Sequence, residues 1–183
     1  MTEKDAREWK RDHGGNVEAY RRAYGAEPLD FSSNVAPLGV PDTVRLAAEK
    51  SLPFADRYPD PDCIALREAV AKKLSVPKEE LLCGNGAADL IFRFALAIRA
   101  ERVLISSPTF SEYGKAARLS GAEVVSFPLS EEEDFLLTDR LLDAIIGDIG
   151  AVFLCEPNNP TGRTAGRELL LSVLRQIGRA SCR

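Results

Sequence analysis

The chain has 183 residues, 45% hydrophobic and 28% charged, with a formal net charge of -4. This excludes an intrinsically disordered chain and argues against a nucleic-acid partner, and the basic pairs Lys10-Arg11 and Arg21-Arg22 read as solvated faces. No apolar run approaches bilayer length, and residues 1–8 lack the apolar stretch of an export signal, so no membrane association is expected and the protein reads as cytoplasmic.

The first 62 residues form a proline-interrupted N-terminal arm, broken at Pro28, Pro37, Pro41, Pro53, Pro59 and Pro61. Trp9, Tyr20, Tyr24, Phe31, Phe54 and Tyr58 give this arm aromatic anchors for docking on the main domain or on a partner subunit. Apolar periodicity predicts helices over about 42–51, 63–74, 87–99, 111–120, 138–147 and 165–176, and strands over about 81–83, 103–107, 123–128 and 151–155. Thr138 is a candidate N-cap, and Gly121 stands where a helix C-terminal glycine belongs. Strand and helix alternate, which predicts an α/β fold: three layers, α/β/α, around a mostly parallel sheet. The expected division is the arm (1–62), a partial ligand-binding domain (63–176) and a suspected non-native tail (177–183) that looks like translated sequencing adapter. The cysteines Cys63, Cys83, Cys155 and Cys182 form no C-x-x-C pair, and His13 is the one histidine, so free buried thiols are expected rather than a zinc site or disulfides.

Two stretches carry chemistry. Pro157-Asn158-Asn159-Pro160-Thr161-Gly162 follows the apolar run Ala151-Val152-Phe153-Leu154-Cys155, which puts amide side chains at the carboxyl end of a strand, where open α/β sheets bind ligands. The same residue types also build ordinary turns. Leu81-Leu82-Cys83-Gly84-Asn85-Gly86-Ala87-Ala88-Asp89 reads as a glycine turn opening a helix, whose N-terminal amides and partial positive charge suit a phosphate. A plain strand-to-helix turn reads the same way. The stretch lacks the third small residue of a dinucleotide fingerprint, and the chain has no Gly-Lys-Ser/Thr phosphate loop.

Together these strings resemble the fold-type I enzymes that use pyridoxal 5′-phosphate (PLP). The hexapeptide resembles their PNNPTG signature, which implies that Asn159 donates to the phenolic oxygen of the cofactor and that Asn158 is structural. The glycine turn resembles their phosphate loop, which implies that the Gly86, Ala87 and Ala88 amides hold the PLP phosphate; Ala88 replaces a polar residue often found there. Ser107-Pro108-Thr109-Phe110-Ser111-Glu112-Tyr113 resembles P-T-[YF]-x-x-Y, implying that Phe110 stacks on the pyridine ring. Arg57-Tyr58-Pro59-Asp60 resembles R-Y-P-D, implying that Tyr58 reaches the PLP phosphate of the neighbouring subunit of a homodimer.

Within the family, His13-Gly14-Gly15-Asn16 and Leu29-Asp30-Phe31-Ser32-Ser33-Asn34-Val35-Ala36-Pro37-Leu38-Gly39 resemble the threonine-phosphate decarboxylase branch more than the histidinol-phosphate aminotransferase branch. That implies decarboxylation of a small phosphorylated amino acid, with His13 and Asn34 on the substrate side; Ala36 departs from the branch pattern. The family's covalent lysine lies in an S-x-x-K type motif and its ring-nitrogen partner in D-E-A-[YF]. Neither string is read in this sequence, and no lysine is assigned that role, Lys115 being placed on a surface helix. The expectation is a fragment with weak PLP binding and no turnover. One helix-terminus contact contributes about 0.3–1 kcal/mol, against the roughly 8 kcal/mol of micromolar affinity. The competing classes are a non-catalytic phosphate-binding α/β module and the PLP-fold half of a transcription regulator, the latter disfavoured by charge.

Overall fold

The computed structural model describes residues 14–178, so His13 and Cys182 lie outside the described residues. The chain divides into two compact units, Met1–Leu66 and Arg67–Arg183.

The first unit carries α1 (Val17–Tyr24), α2 (Asp42–Ser51) and a 3₁₀ turn, Leu52–Phe54. The sequence reading lacked α1, although its signals are local. Asn16 Oδ1 accepts the Ala19 N–H at 3.3 Å, and Glu18 pairs with Arg22 at 2.9 Å, four residues apart. Gly25, at φ 64°, ends the helix by donating its N–H to Arg21 O at 2.8 Å. Of the aromatic anchors, Trp9 lies outside the described residues; Tyr20 and Tyr24 pair at 4.6 Å and Phe54 lies under the Arg57 guanidinium at 4.7 Å, but Tyr24 and Phe54, like Phe31 and Tyr58, are exposed.

The helix α3 (Ile64–Leu74) spans the division between the units. In the second unit, a 3₁₀ turn at Lys78–Glu80 leads to α4 (Gly86–Ile98), β1 (Arg102–Ser107), α5 (Ser111–Leu119), β2 (Glu123–Pro128), α6 (Arg140–Ala144), β3 (Ile149–Phe153) and α7 (Arg167–Ile177). The strands form a parallel sheet in the order β2-β1-β3, with Leu104 opposite both Val125 and Val152. Helical crossovers cover both faces, so β1 reads as a continuous apolar run rather than an alternating one. Val103 and Ile105 pack with Ile91 and Ala95 of α4 and with Tyr113, Ala116 and Ala117 of α5. On the opposite face Leu104 packs with Phe127, Leu141, Ile149, Leu169 and Val173, which brings in α6 and α7. The result is the expected three-layer α/β/α arrangement. At the amino ends of the strands Arg102 ties the sheet edges together, to Glu123 at 3.1 Å and Asp148 at 2.7 Å.

Gly121, at φ 87°, closes α5 as expected. Its N–H donates to Arg118 O at 3.1 Å, and Ala122 N–H to Ala117 O at 3.0 Å. Four expectations are corrected. Residues 81–83 form no strand, because an extended segment becomes one only with a ladder partner and none lies beside it among the described residues. Strand β3 starts and ends two residues earlier than predicted, so Leu154 and Cys155 belong to the ligand-side loop. Helix α6 is a short piece that starts after Asp139 with no side-chain cap; Thr138 sits one residue too early to cap it, and its buried hydroxyl has no partner. Cys63, Cys83 and Cys155 are free thiols, but half-buried rather than buried.

Candidate functional site

At the carboxyl ends of the adjacent parallel strands β1 and β3, two loops run side by side. The first is Pro108-Thr109-Phe110, leading into α5; the second is 154–166, leading into α7. Asn158 is the buried member of the pair of asparagines, at 8% exposure. Its Oδ1 accepts the Thr109 hydroxyl at 2.7 Å, and its Nδ2 donates to Pro108 O at 3.1 Å and to Thr161 Oγ1 at 2.9 Å. Its backbone N–H donates to Arg163 O at 2.7 Å, and its carbonyl accepts the Gly162 N–H at 2.6 Å, with Gly162 at φ 70° making the turn. The Asn159 side chain is therefore left on the exposed side, while its N–H donates to Cys155 Sγ at 3.4 Å. Phe110 is half-buried and meets Tyr113 edge-on at 5.7 Å. The peptide bonds before Pro108, Pro157 and Pro160 are cis.

The same unit holds the amino end of α4. Gly86 has φ 76°, and no atom lies within 4 Å of where a Cβ would stand, so glycine is required by the backbone while the space beside it stays open. Its N–H donates to Gly84 O at 2.9 Å. Gly86 thus makes the turn, and Ala87 and Ala88, in the first helical turn, are the amides without an intrahelical acceptor. Asp89 Oδ2 accepts the Asn85 N–H at 3.0 Å, and its Oδ1 accepts Arg93 Nε at 2.8 Å. The Asn85 N–H first, and then Arg93, hold the Asp89 carboxyl below the usual aspartate range. Because the folded-state value is depressed, the contact stabilises the turn above the unfolded value and is lost as pH falls through the folded one. Hydrogen-exchange protection of the Asn85 amide is expected to fall below about pH 4, and Asp89→Asn to remove that step. Identical profiles for the two proteins would contradict this cap.

The five cofactor-side residues Gly86, Ala87, Ala88, Phe110 and Asn159 lie in one unit; Asn34 and Tyr58, both exposed, belong to the other. The sequence reading did not single out Thr109 or Glu156. Thr109 completes the Asn158 network, and the Glu156 carboxylate accepts the Ala165 N–H at 2.8 Å, closing the base of the loop. The available signals were the Thr109 hydroxyl inside the Pro-Thr-Phe string and the Glu156 carboxylate directly before Pro157. Lys115 pairs with Glu112 at 2.9 Å on α5. Ser75-Val76-Pro77-Lys78 does satisfy the bare S-x-x-K spacing, which the sequence reading passed over. Lys78 pairs with Glu68 at 2.9 Å, and this hydrogen bond raises its pKa. A shallow cleft lined by Leu129, Leu154, Asn158 and Arg163 includes neither Phe110 nor Asn159.

Parallel strands with helical crossovers, and an aromatic ring and an exposed amide on the loops at their carboxyl ends, place this chain in the α/β class, whose open sheets bind ligands at that edge. Residues 26–181 match the family description Aminotransferase class I and II, and the chain belongs to that family. It is 40% identical over 164 residues to threonine-phosphate decarboxylase of Salmonella typhimurium, covering 88% of this chain and 45% of that protein. It is 34% identical over 171 residues to histidinol-phosphate aminotransferase of Moorella thermoacetica, covering 90% of this chain and 43% of that protein. The crystal structure of L-threonine-O-3-phosphate decarboxylase from Porphyromonas gingivalis superposes with a TM-score of 0.66 at 32% identity, over 79% of this chain and 42% of that one. The chain thus spans less than half the length of the curated relatives it matches.

Proposed function

We propose that this chain supplies the cofactor-binding part of a PLP-dependent enzyme that decarboxylates L-threonine O-3-phosphate to (R)-1-amino-2-propanol O-2-phosphate, a step of cobalamin biosynthesis. The observation that carries the cofactor is the placing of Asn159 and Phe110 on loops at the ends of adjacent parallel strands, one amide turned outward and one ring half-buried. The residues fit the group. Asn159 would donate to the phenolic oxygen, Phe110 would stack on the pyridine ring, and the Ala87 and Ala88 amides at the turn made by Gly86 would take the phosphate. Ala88 has no hydroxyl to add, so this chain holds the phosphate there by backbone alone. When bound, PLP supplies an electron sink for the pair left on Cα as carbon dioxide departs. A proton then replaces the carboxylate at Cα. Tyr58 is assigned to the phosphate of the neighbouring subunit in a homodimer, and His13 and Asn34 to the substrate. The exposed Phe31, Leu38 and Tyr58 support a partner surface in the first unit. The covalent lysine is assigned outside this chain, in agreement with the ion-paired state of Lys78 and Lys115.

The higher identity to the decarboxylase than to the aminotransferase, 40% against 34%, supports the choice of reaction. The second reading, transamination of histidinol phosphate, keeps the same cofactor contacts. In a full-length protein carrying this chain, threonine phosphate is expected to yield carbon dioxide and the amino alcohol phosphate without any 2-oxo acid. Turnover of histidinol phosphate with 2-oxoglutarate, and none of threonine phosphate, would overturn the decarboxylase reading.

A further inference from the structure

We propose that Asn158 is a positioning residue: its buried carboxamide locks the loop after β1 to the loop after β3 and thereby fixes the spacing between the Phe110 ring and the Asn159 amide. The inference rests on the cofactor reading above. Pairing of β1 with β3 ends at Ile105 opposite Phe153, so no ladder aligns the two chains beyond that point. The alignment is made instead by side-chain bonds that span 49 and 50 residues, Thr109 Oγ1 to Asn158 Oδ1 and Asn158 Nδ2 to Pro108 O. Each anchored residue is the chain neighbour of a candidate ligand group: Thr109 precedes Phe110, and Asn158 precedes Asn159. A displacement of either anchor is passed directly to the group beside it.

The chemistry requires an amide. Nδ2 donates twice, to a carbonyl and to the Thr161 hydroxyl, while Oδ1 accepts once, so both kinds of hydrogen-bonding capacity are in use. A carboxylate of the same shape has no donor and would face the Pro108 carbonyl with negative charge. Alanine would leave the Thr109 hydroxyl and the Pro108 carbonyl without this partner in a part-buried place. The main-chain bonds of Asn158 to Arg163 and Gly162, and its bond to Thr161, shape the 157–163 turn alone. The Thr109 and Pro108 bonds are therefore the ones that test coupling between the loops.

The experiment uses a full-length protein carrying this chain and reads the PLP dissociation constant, the absorption band of the bound cofactor with its pH midpoint, and thermal unfolding of the apo-protein. Asn158→Ala and Asn158→Asp are each expected to weaken PLP binding by about 10-fold or more and to move the band and its midpoint in the same direction as Asn159→Ala. Thr109→Val, which leaves the turn bonds intact, is expected to do the same, and Thr109→Ser to restore the wild-type band. If Asn158→Ala fails to fold, Thr109→Val against Thr109→Ser decides the question. A lowered unfolding temperature with an unchanged band, midpoint and affinity in the Asn158 and Thr109 variants would reduce Asn158 to turn scaffolding and overturn the inference. If Asn159→Ala also leaves the band and the affinity unchanged, the cofactor reading fails first and the positioning role with it.

Discussion

Asn159→Ala is expected to weaken PLP binding by about 10- to 150-fold, because a hydrogen bond to a charged oxygen contributes about 1.5–3 kcal/mol. The same change is expected to shift apo-protein stability by no more than about 0.5 kcal/mol, as for other exposed positions. The two effects separate because of how the turn is built. The Asn159 carboxamide is on the exposed side, and the bond from its N–H to Cys155 Sγ survives in alanine. What holds the loop is Asn158, not Asn159. Titration of PLP against wild type and variant, followed by absorbance, together with thermal unfolding of both apo-proteins, checks this. Equal affinities would remove Asn159 from the cofactor contacts.

Leu104→Ala is expected to cost about 2–5 kcal/mol, a large share of the roughly 5–15 kcal/mol by which such domains are stable. Leu104 is 0% exposed at the centre of the middle strand, paired on both sides and packed against Leu141, which is also 0% exposed. With β2 and β3 holding its backbone and α6 and α7 covering its face, the strand cannot collapse into the void, so the loss combines transfer and cavity terms. Leu119→Ala is the control, since Leu119 is 65% exposed and truncation there is expected to stay within about 0.5 kcal/mol. Urea unfolding of the two variants gives the comparison, and equal destabilisation would contradict this account of the core.

The order of elements was legible because apolar periodicity reports burial, and burial repeats with the period of each element. Val103-Leu104-Ile105 reads as a short strand and is one, covered on both faces. Asn16 and Gly25 bracket α1 with ordinary cap signals, yet the prolines that follow drew the reading towards an arm with no helix before residue 42. The predicted strand at 81–83 failed for a different reason. Its apolar residues fit a strand, but pairing is a relation between two segments and cannot be read from one.

The loops divide in the same way. The sequence alone determined the chemistry on offer: two asparagines between prolines after one strand, an aromatic after Pro-Thr following another, and a glycine turn opening a helix. It also determined the family, since those strings occur together and in order. The resemblance assigned Asn158 a structural role, but only the tertiary structure shows what turns it inward: Thr109 and Pro108, some fifty residues away, come within hydrogen-bonding distance. A buried amide needs partners for both its donors and its acceptor. The parallel crossover that sets β1 beside β3 supplies them to Asn158 and leaves Asn159 exposed beside it.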